Sequence, residues 1–192
     1  MNDPSPPPAV RPPPRYPAEL ERVWQAADGT AVVIRPLRPD DLERELSFIE
    51  GLSEQTLYQR LQYSSREVSR EEAARLLDLD YHDSFAFGAI VGTSPDPVLV
   101  GVSRYSRIDG GDRAECAIVV TDAWHGRGLG TELMRSLSQA ARERGIRVLM
   151  GSSLAENQRI HAWARRFGFE VRTEPNSGGQ VQITVDLASL PS

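Results

Sequence analysis

The chain has 192 residues, enough for one domain with a core, and carries 22 basic and 27 acidic side chains, a net charge of −5. This charge disfavours nucleic acid as the main partner, and the single cysteine, Cys116, excludes an intramolecular disulfide. No apolar run reaches the roughly 18 residues of a membrane span, so we expect no membrane partner and a cytoplasmic protein, either a monomer or a homodimer.

The first 22 residues are predicted to form a disordered, proline-rich tail, and residues 23–188 to form the folded domain. Eight of the 14 prolines lie in the first 17 residues, which contain few apolar side chains to bury. An alternative is that this segment docks into an aromatic groove.

The first half of the domain is predicted to contain one strand and three helices. Alternating β-branched residues favour the strand, and capping residues in front of helical apolar patterns favour the helices. In chain order the elements are a strand over Ala31–Arg35 that ends at Pro36, a helix capped by Asp40 or Asp41 that extends to about Gly51, a short helix from Ser53, and a helix opened by the capping box Ser69-Arg-Glu-Glu72.

The second half is predicted to form the rest of a mixed α/β sheet. Turn residues separate its strands, and glycines end its two helices. The elements are strands over Phe85–Val91, Val98–Ile108, Ala114–Val120, Arg147–Ser152 and Val181–Val185, a hairpin turn at Asp109–Asp112, a helix carrying Leu133, Leu137 and Ala140 that ends at Gly145, and a helix carrying Ile160, Trp163 and Phe167 that ends at Gly168.

A glycine-rich loop joins the strand ending at Val120 to the following helix. Gly126, Gly128 and Gly130 remove side chains where backbone N–H groups would converge, and the helix adds the positive end of its dipole. The pattern predicts a site for a phosphate or pyrophosphate. The alternative is a tight strand-to-helix connection with no ligand.

The spacing of these glycines excludes two common phosphate loops. The sequence Gly126-Arg-Gly-Leu-Gly-Thr131 lacks the last glycine of the dinucleotide fingerprint G-x-G-x-x-G. A P-loop requires a lysine, and the chain contains none, because its 22 basic residues are all arginine. The same absence excludes Schiff-base chemistry on a lysine of this chain.

The run from His125 to Gly130 resembles the Gln/Arg-x-x-Gly-x-Gly/Ala signature of the GCN5-related N-acetyltransferases (GNAT), with His125 replacing the usual first residue. The resemblance extends from Gly29 to Asp186 and includes Asn157 and Arg166–Phe169. Within this family, the stretches Leu52–Arg60 and Ala114–Ala117 look most like the protein-lysine acetyltransferases that modify acyl-CoA synthetases. The resemblance implies a central, mostly antiparallel mixed sheet of six to seven strands flanked by helices.

The resemblance also implies acetyl-CoA as co-substrate, no metal, and specific residues around the cofactor. Ile118, Val119 and Val120 would pair with the pantetheine arm like an added strand, which requires a break in the sheet, and the Val119 N–H would polarise the thioester carbonyl. The residues expected to hold the pyrophosphate are His125, Gly126, Arg127, Gly128, Leu129, Gly130 and Thr131, with Asn157 contacting the arm or the phosphates.

Glu115 is the candidate catalytic base. Strand alternation places it on one face with Ala117 and Val119, where a carboxylate is costly unless it is paired or functional. In the resembling family a glutamate on this strand deprotonates the amine. The alternative is an ion pair with Arg113 or Arg104.

Cys116 lies on the opposite face and is interpreted as an inert thiol rather than a nucleophile. The family's usual tyrosine acid is missing, since the nearest positions hold Trp163 and Ala164. The leading hypothesis is an N-acetyltransferase acting on a protein lysine. The alternatives are a small-amine acetyltransferase and a non-catalytic acyl-CoA sensor.

Overall fold

One mixed sheet of eight strands organises the part of the chain that the computed structural model describes, residues 15–61, 68–92, 96–173 and 179–191. The strands are β1 Arg22–Gln25, β2 Ala31–Pro36, β3 Ser84–Val91, β4 Val98–Arg107, β5 Arg113–Val120, β6 Val148–Leu154, β7 Glu170–Thr173 and β8 Gln180–Asp186. Their spatial order is β1-β2-β3-β4-β5-β6-β8-β7, and only the central pair β5 and β6 is parallel. The predicted mixed α/β fold is confirmed.

Five α-helices in the described residues cover the two faces of this sheet. They are α1 Leu42–Glu50, α2 Glu54–Leu61, α3 Arg70–Leu76, α4 Leu129–Glu143 and α5 Gln158–Phe167. One apolar cluster packs α4 and α5 against the first face, and a second packs α1, α2 and the residue after α3 against the other.

Helix α4 lies close to the sheet because small and large residues alternate across the contact. Leu129, Leu133 and Leu137 recur every four residues on one side of α4 and are fully buried. A Cβ atom added to Gly101 of β4 would lie 2.9 Å from the end of the Leu133 side chain, so any larger residue there would force Leu133 to move. This packing fixes the position at which α4 begins.

The sheet opens at its centre, between β5 and β6. Their pairing extends over three residue pairs, from Arg113 with Val148 to Glu115 with Met150, while β5 stays paired with β4 up to Val120. The break in strand pairing that the cofactor prediction requires is therefore present.

The sheet contains one strand more than the six to seven predicted. The strands that the sequence analysis missed, β1 and β7, have four residues each and form the two edges of the sheet. Edge strands are largely exposed and lack the buried apolar alternation by which the others were recognised.

Residues 16–22, which the sequence analysis assigned to the tail, lie against the domain. The Tyr16 ring contacts Tyr81 edge to face, with centroids 5.8 Å apart, and its hydroxyl donates to Glu21 at 2.6 Å. The folded part therefore begins before residue 23, because Tyr16 supplies an aromatic ring to bury. Residues 1–14 of the predicted tail lie outside the described residues.

Asp41 precedes α1 as predicted, but its side chain does not cap that helix. Its carboxylate forms a bidentate pair with Arg35 of β2, with N–O distances of 2.6 and 2.7 Å, and both side chains are buried. Burial alone would raise the pKa of Asp41, but Arg35, together with the Arg38 N–H and Arg44, outweighs it and the pKa is lowered. This pair fixes α1 to the sheet. The predicted cap at Ser69 is confirmed, and Asn157 caps α5 by accepting from the Ile160 N–H.

Candidate active site

A cleft of about 400 Å³ occupies the opening between β5 and β6 and continues between α4 and α5. It brings together nearly every residue that the sequence analysis assigned to the site. The predicted residues that line it are Glu115, Ile118, Val119, Val120, His125, Gly126, Gly128, Leu129, Gly130, Thr131 and Asn157.

The glycine loop has the backbone geometry expected of an anion cradle. Gly126 and Gly128 have φ values of 75° and 88°, a left-handed conformation that glycine adopts without strain. Gly128 is the residue before α4, so the loop places the positive end of this 15-residue helix at the cleft. A Cβ atom on Gly130 would make ordinary contacts, the nearest at 3.6 Å from Ile118, so the protein's own packing does not require that glycine.

His125 holds the loop to the end of β5. Its Nε2 lies 2.8 Å from the Val120 carbonyl, and its Nδ1 lies 2.8 Å from an Arg159 nitrogen. A guanidinium can only donate, so Nδ1 accepts and Nε2 carries the hydrogen donated to Val120. The second Arg159 nitrogen, at 3.3 Å from Nε2, is then a contact rather than a hydrogen bond. The histidine that departs from the family signature thus has a defined structural role.

Two arginines of α5 that sequence reasoning missed, Arg159 and Arg166, also line the cleft. Together with the helix end they make one wall of the cleft positive, which suits an anionic cofactor. The available signal was the position of Arg159, two residues after the helix cap Asn157. That spacing places it in the first turn of α5, near the predicted cradle.

Arg127 is the one predicted binding residue that does not line the cleft. Its guanidinium pairs with Asp28 at 2.7 Å and lies over the Trp124 ring, 5.0 Å from the centroid. The sequence analysis assigned Arg127 to the cradle because of its position between Gly126 and Gly128. In the structure its side chain instead ties the β1–β2 turn to the outside of the loop.

The predicted role of the Val119 N–H is wrong. Peptide groups of successive strand residues point alternately to the two neighbouring strands. Thr121 donates its N–H to Val100 of β4 at 3.0 Å, so Val119, two residues earlier, also directs its N–H toward β4. Ile118 and Val120 direct theirs toward the cleft, and the polarising donor has to be sought among these.

The Glu115 carboxylate forms no ion pair or hydrogen bond with any described residue. Arg104, one suggested partner, pairs with Glu45 at 2.6 Å, and Arg113, the other, contacts the Met150 sulfur at 3.7 Å. Glu115 is exposed and supplies the only carboxylate among the described residues of the cleft wall. The ion-pair alternative is therefore not supported by these contacts.

Neither Trp163 nor Ala164 supplies an ionisable proton donor. Cys116 is partly buried in the cleft wall, and Ala164 is fully buried. The Trp163 indole donates to the Thr131 hydroxyl at 3.1 Å and packs against Phe167. The structure thus shows no tyrosine equivalent at Trp163 or Ala164.

The described ranges contain no group of three or more His, Cys, Asp or Glu side chains placed to hold a metal ion. None of their helices is long and apolar enough to cross a membrane.

Comparison with known proteins agrees with this fold and site. Residues 31–170 match the family model for the acetyltransferase (GNAT) domain. A curated acetyltransferase of Pseudomonas aeruginosa is 36% identical over 154 residues, which cover 80% of this chain and 83% of that protein. Acetyltransferase Pat of Mycolicibacterium smegmatis is 31% identical over 144 residues, 75% of this chain and 43% of that longer protein.

A solved structure shows the same architecture. The GNAT domain of S. lividans PAT superposes with a TM-score of 0.82 at 29% identity, covering 90% of this chain and 99% of that domain. The chain belongs to the GNAT family of acetyltransferases, in the branch that resembles Pat, and it is an N-acetyltransferase.

Proposed function

We propose that this enzyme transfers the acetyl group of acetyl-CoA directly to the side-chain amine of a lysine in another protein. The observation that carries the proposal is that one cleft contains both the glycine cradle and an unpaired carboxylate, Glu115. The glycine loop and Arg159 would bind the phosphates, and the open edge of β5 would bind the pantetheine arm. Acetyl-CoA supplies an activated thioester, so no covalent enzyme intermediate is needed.

Glu115 addresses the main barrier to attack by an amine. A lysine amine has a pKa of about 10.4, so its neutral form costs roughly 4.6 kcal/mol at pH 7. A positioned carboxylate that accepts the proton as the bond forms removes part of this cost. Glu115 lies beside Cys116, where β5 leaves β6, and is therefore near the closed end of the cleft.

A protein acceptor is supported by the position of α2, which reaches the cleft beside the turn that leads into the glycine loop, where the Thr56 hydroxyl donates to Asp122 at 2.8 Å. Thr56 of α2 lines the cleft, and α2 falls in the stretch that resembles the protein-lysine acetyltransferases. Part of the predicted recognition segment, residues 62 and 63, lies outside the described residues. Because the chain contains no lysine, acetylation of a lysine side chain has to occur in trans.

A CoA-release assay with a panel of acceptors tests the proposal. Acyl-CoA synthetases, free lysine and a polyamine would be compared, with a synthetase whose target lysine is replaced by arginine as the control. We expect kcat/KM for the best protein to exceed that for free lysine by at least roughly tenfold, the ratio that 1.4 kcal/mol of remote contacts produces. Equal values would favour the small-amine acetyltransferase. Binding of acetyl-CoA without release on any acceptor would favour the sensor.

A further inference from the structure

Ser153 of β6 and His161 of α5 form a buried polar pair in the wall of the cleft. Ser153 Oγ lies 2.8 Å from His161 Nε2, and the two residues are 4% and 3% exposed. Ser153 lines the cleft, while His161 lies behind it. Neither the cradle nor the catalytic base uses this pair.

The surroundings of His161 keep its ring neutral. Burial lowers the pKa of His161, the nearby positive charge of Arg165 lowers it further, and a backbone hydrogen bond with Leu154 acts in the opposite direction. A backbone group that favours the protonated ring is a carbonyl, and we therefore assign the single ring hydrogen to Nδ1. Nε2 is then the acceptor, and Ser153 donates its hydroxyl hydrogen to it.

This arrangement fixes what Ser153 can offer to a ligand. A serine hydroxyl has one hydrogen and two acceptor lone pairs, and here the hydrogen is already engaged. Toward the cleft Ser153 is therefore an acceptor, which requires a hydrogen-bond donor on the ligand. It lies on β6 beyond Met150, where β6 has left β5 and the cleft has opened.

We propose that Ser153 accepts a hydrogen bond from an amide N–H of the pantetheine arm of acetyl-CoA, and that His161 positions the Ser153 hydroxyl for this contact. The inference rests on the proposed function and adds a residue that selects the arm rather than the phosphates. The two amides of the arm are its only N–H donors, so an acceptor-only hydroxyl matches them.

A hydroxyl beside a neutral imidazole is also the arrangement of an activated nucleophile. Attack by Ser153 on a thioester would move its proton to His161 and create a cation. That cation would be buried next to Arg165, and both features oppose it. Binding is therefore the assigned role, and acylation of Ser153 is an outcome that the experiment can detect.

Calorimetric titration of two ligands separates the arm from the phosphates. One ligand is acetyl-CoA, and the other is 3′-phospho-ADP, the nucleotide part of CoA without the arm. We expect Ser153→Ala to weaken acetyl-CoA binding by roughly 3- to 10-fold, the loss of one hydrogen bond, and to leave 3′-phospho-ADP binding unchanged. Ser153→Cys keeps the shape of the side chain but replaces the oxygen by a larger, weakly accepting sulfur, so it should behave like Ser153→Ala. The matched control is Ser138→Ala, another buried serine, which lies on α4 outside the cleft.

Three results would overturn the inference alone. They are unchanged acetyl-CoA affinity in both Ser153 variants, an equal loss for both ligands, which would indicate a structural role, and an acetyl group on Ser153 detected by mass spectrometry after incubation with acetyl-CoA. If the wild-type protein bound neither ligand, the proposed function and this inference would both be wrong.

Discussion

The two faces of the sheet are built differently. On the face that carries α4, the proposed cofactor site is one continuous stretch, in which β5 leads through the glycine loop into α4. The other face is covered by α1, α2 and α3, whose packing depends on contacts between residues distant in sequence. The glycine loop could therefore be predicted from a local motif, whereas the contacts that hold these three helices could not.

Charged pairs show this dependence on the face that carries α1. Glu45 of α1 is 2% exposed and pairs with Arg104 of β4, 59 residues away, at 2.6 Å. Burial raises the pKa of Glu45 despite the opposing charge of Arg104, and its second oxygen has no partner in the structure. On this face, polar groups are buried to hold helices in place, which is a structural use of charge.

The proposed role of Glu115 as catalytic base predicts the largest effect. This effect should be confined to the turnover rate. Glu115→Gln should lower kcat by about two to four orders of magnitude at neutral pH, the range for losing a general base, while acetyl-CoA affinity stays near the wild-type value. Higher pH should restore part of the rate, because more of the amine is then neutral. Steady-state kinetics from pH 7 to 9.5 measure this, with the exposed Glu43→Gln of α1 as control. An unchanged kcat would leave Glu115 without a catalytic role.

The buried pair that anchors α1 predicts an effect on stability instead. Asp41→Asn leaves the Arg35 guanidinium buried without its charge partner, so the free energy of unfolding should fall by about 3–5 kcal/mol. The control is the neighbouring Asp40→Asn, whose carboxylate is 73% exposed and should contribute less than about 1 kcal/mol. Denaturant unfolding measures both variants. Equal stabilities for the two would show that the pair does not anchor the helix.

The same pair sets a pH dependence. The folded-state pKa of Asp41 lies below its ordinary value of 3.8, so its contribution is fully present above that pH. The contribution is lost as the pH falls from 3.8 through the lower folded-state pKa, where the carboxylate becomes protonated and the pair weakens. Between pH 2 and pH 4, the free energy of unfolding should therefore fall less steeply with decreasing pH for Asp41→Asn than for the wild type. Denaturant unfolding at a series of pH values from 2 to 6 measures this. A parallel loss in both proteins would contradict this assignment.

Truncation of the N-terminal segment gives the smallest predicted effect. Removing residues 1–14 should leave the thermal midpoint unchanged, because this stretch has few apolar groups to bury. Removing residues 1–20 also deletes Tyr16, with its contacts to Tyr81 and the Pro36 carbonyl, and should lower the midpoint by roughly 3–8 °C. Differential scanning calorimetry of the two truncations makes the comparison. Identical midpoints would show that residues 15–20 add no stability.

Sequence reasoning succeeded where one short stretch contains its own explanation. The strand, glycine loop and helix around Gly128 were predicted with the residues that line the cleft, because turn geometry and apolar period are local signals. The orientation of Glu115 followed from alternation alone. Even there, the direction of the Val119 N–H required knowledge of which neighbour β5 pairs with at Thr121.

Sequence reasoning failed where contacts between residues distant in sequence decide the position of a side chain. Nothing next to Arg127 in the sequence indicates that Asp28 takes its guanidinium away from the cleft. Nothing next to Ser153 indicates that His161 engages its hydroxyl, since the two lie on different elements. The edge strands were missed for a related reason, because their pairing rather than their composition makes them strands.

The central claim is that the glycine loop binds the phosphates of acetyl-CoA, and calorimetry of two glycine variants tests it most directly. Gly128 and Gly145 flank α4, both have positive φ, 88° and 76°, and valine is comparably strained at either position. A Cβ at Gly128 would lie 3.6 Å from Trp24 and one at Gly145 would have no neighbour within 4 Å, so a Cβ at neither position clashes with the protein. We predict that folded Gly128→Val binds no detectable acetyl-CoA and that Gly145→Val binds it like the wild type. Wild-type affinity in folded Gly128→Val would contradict the account.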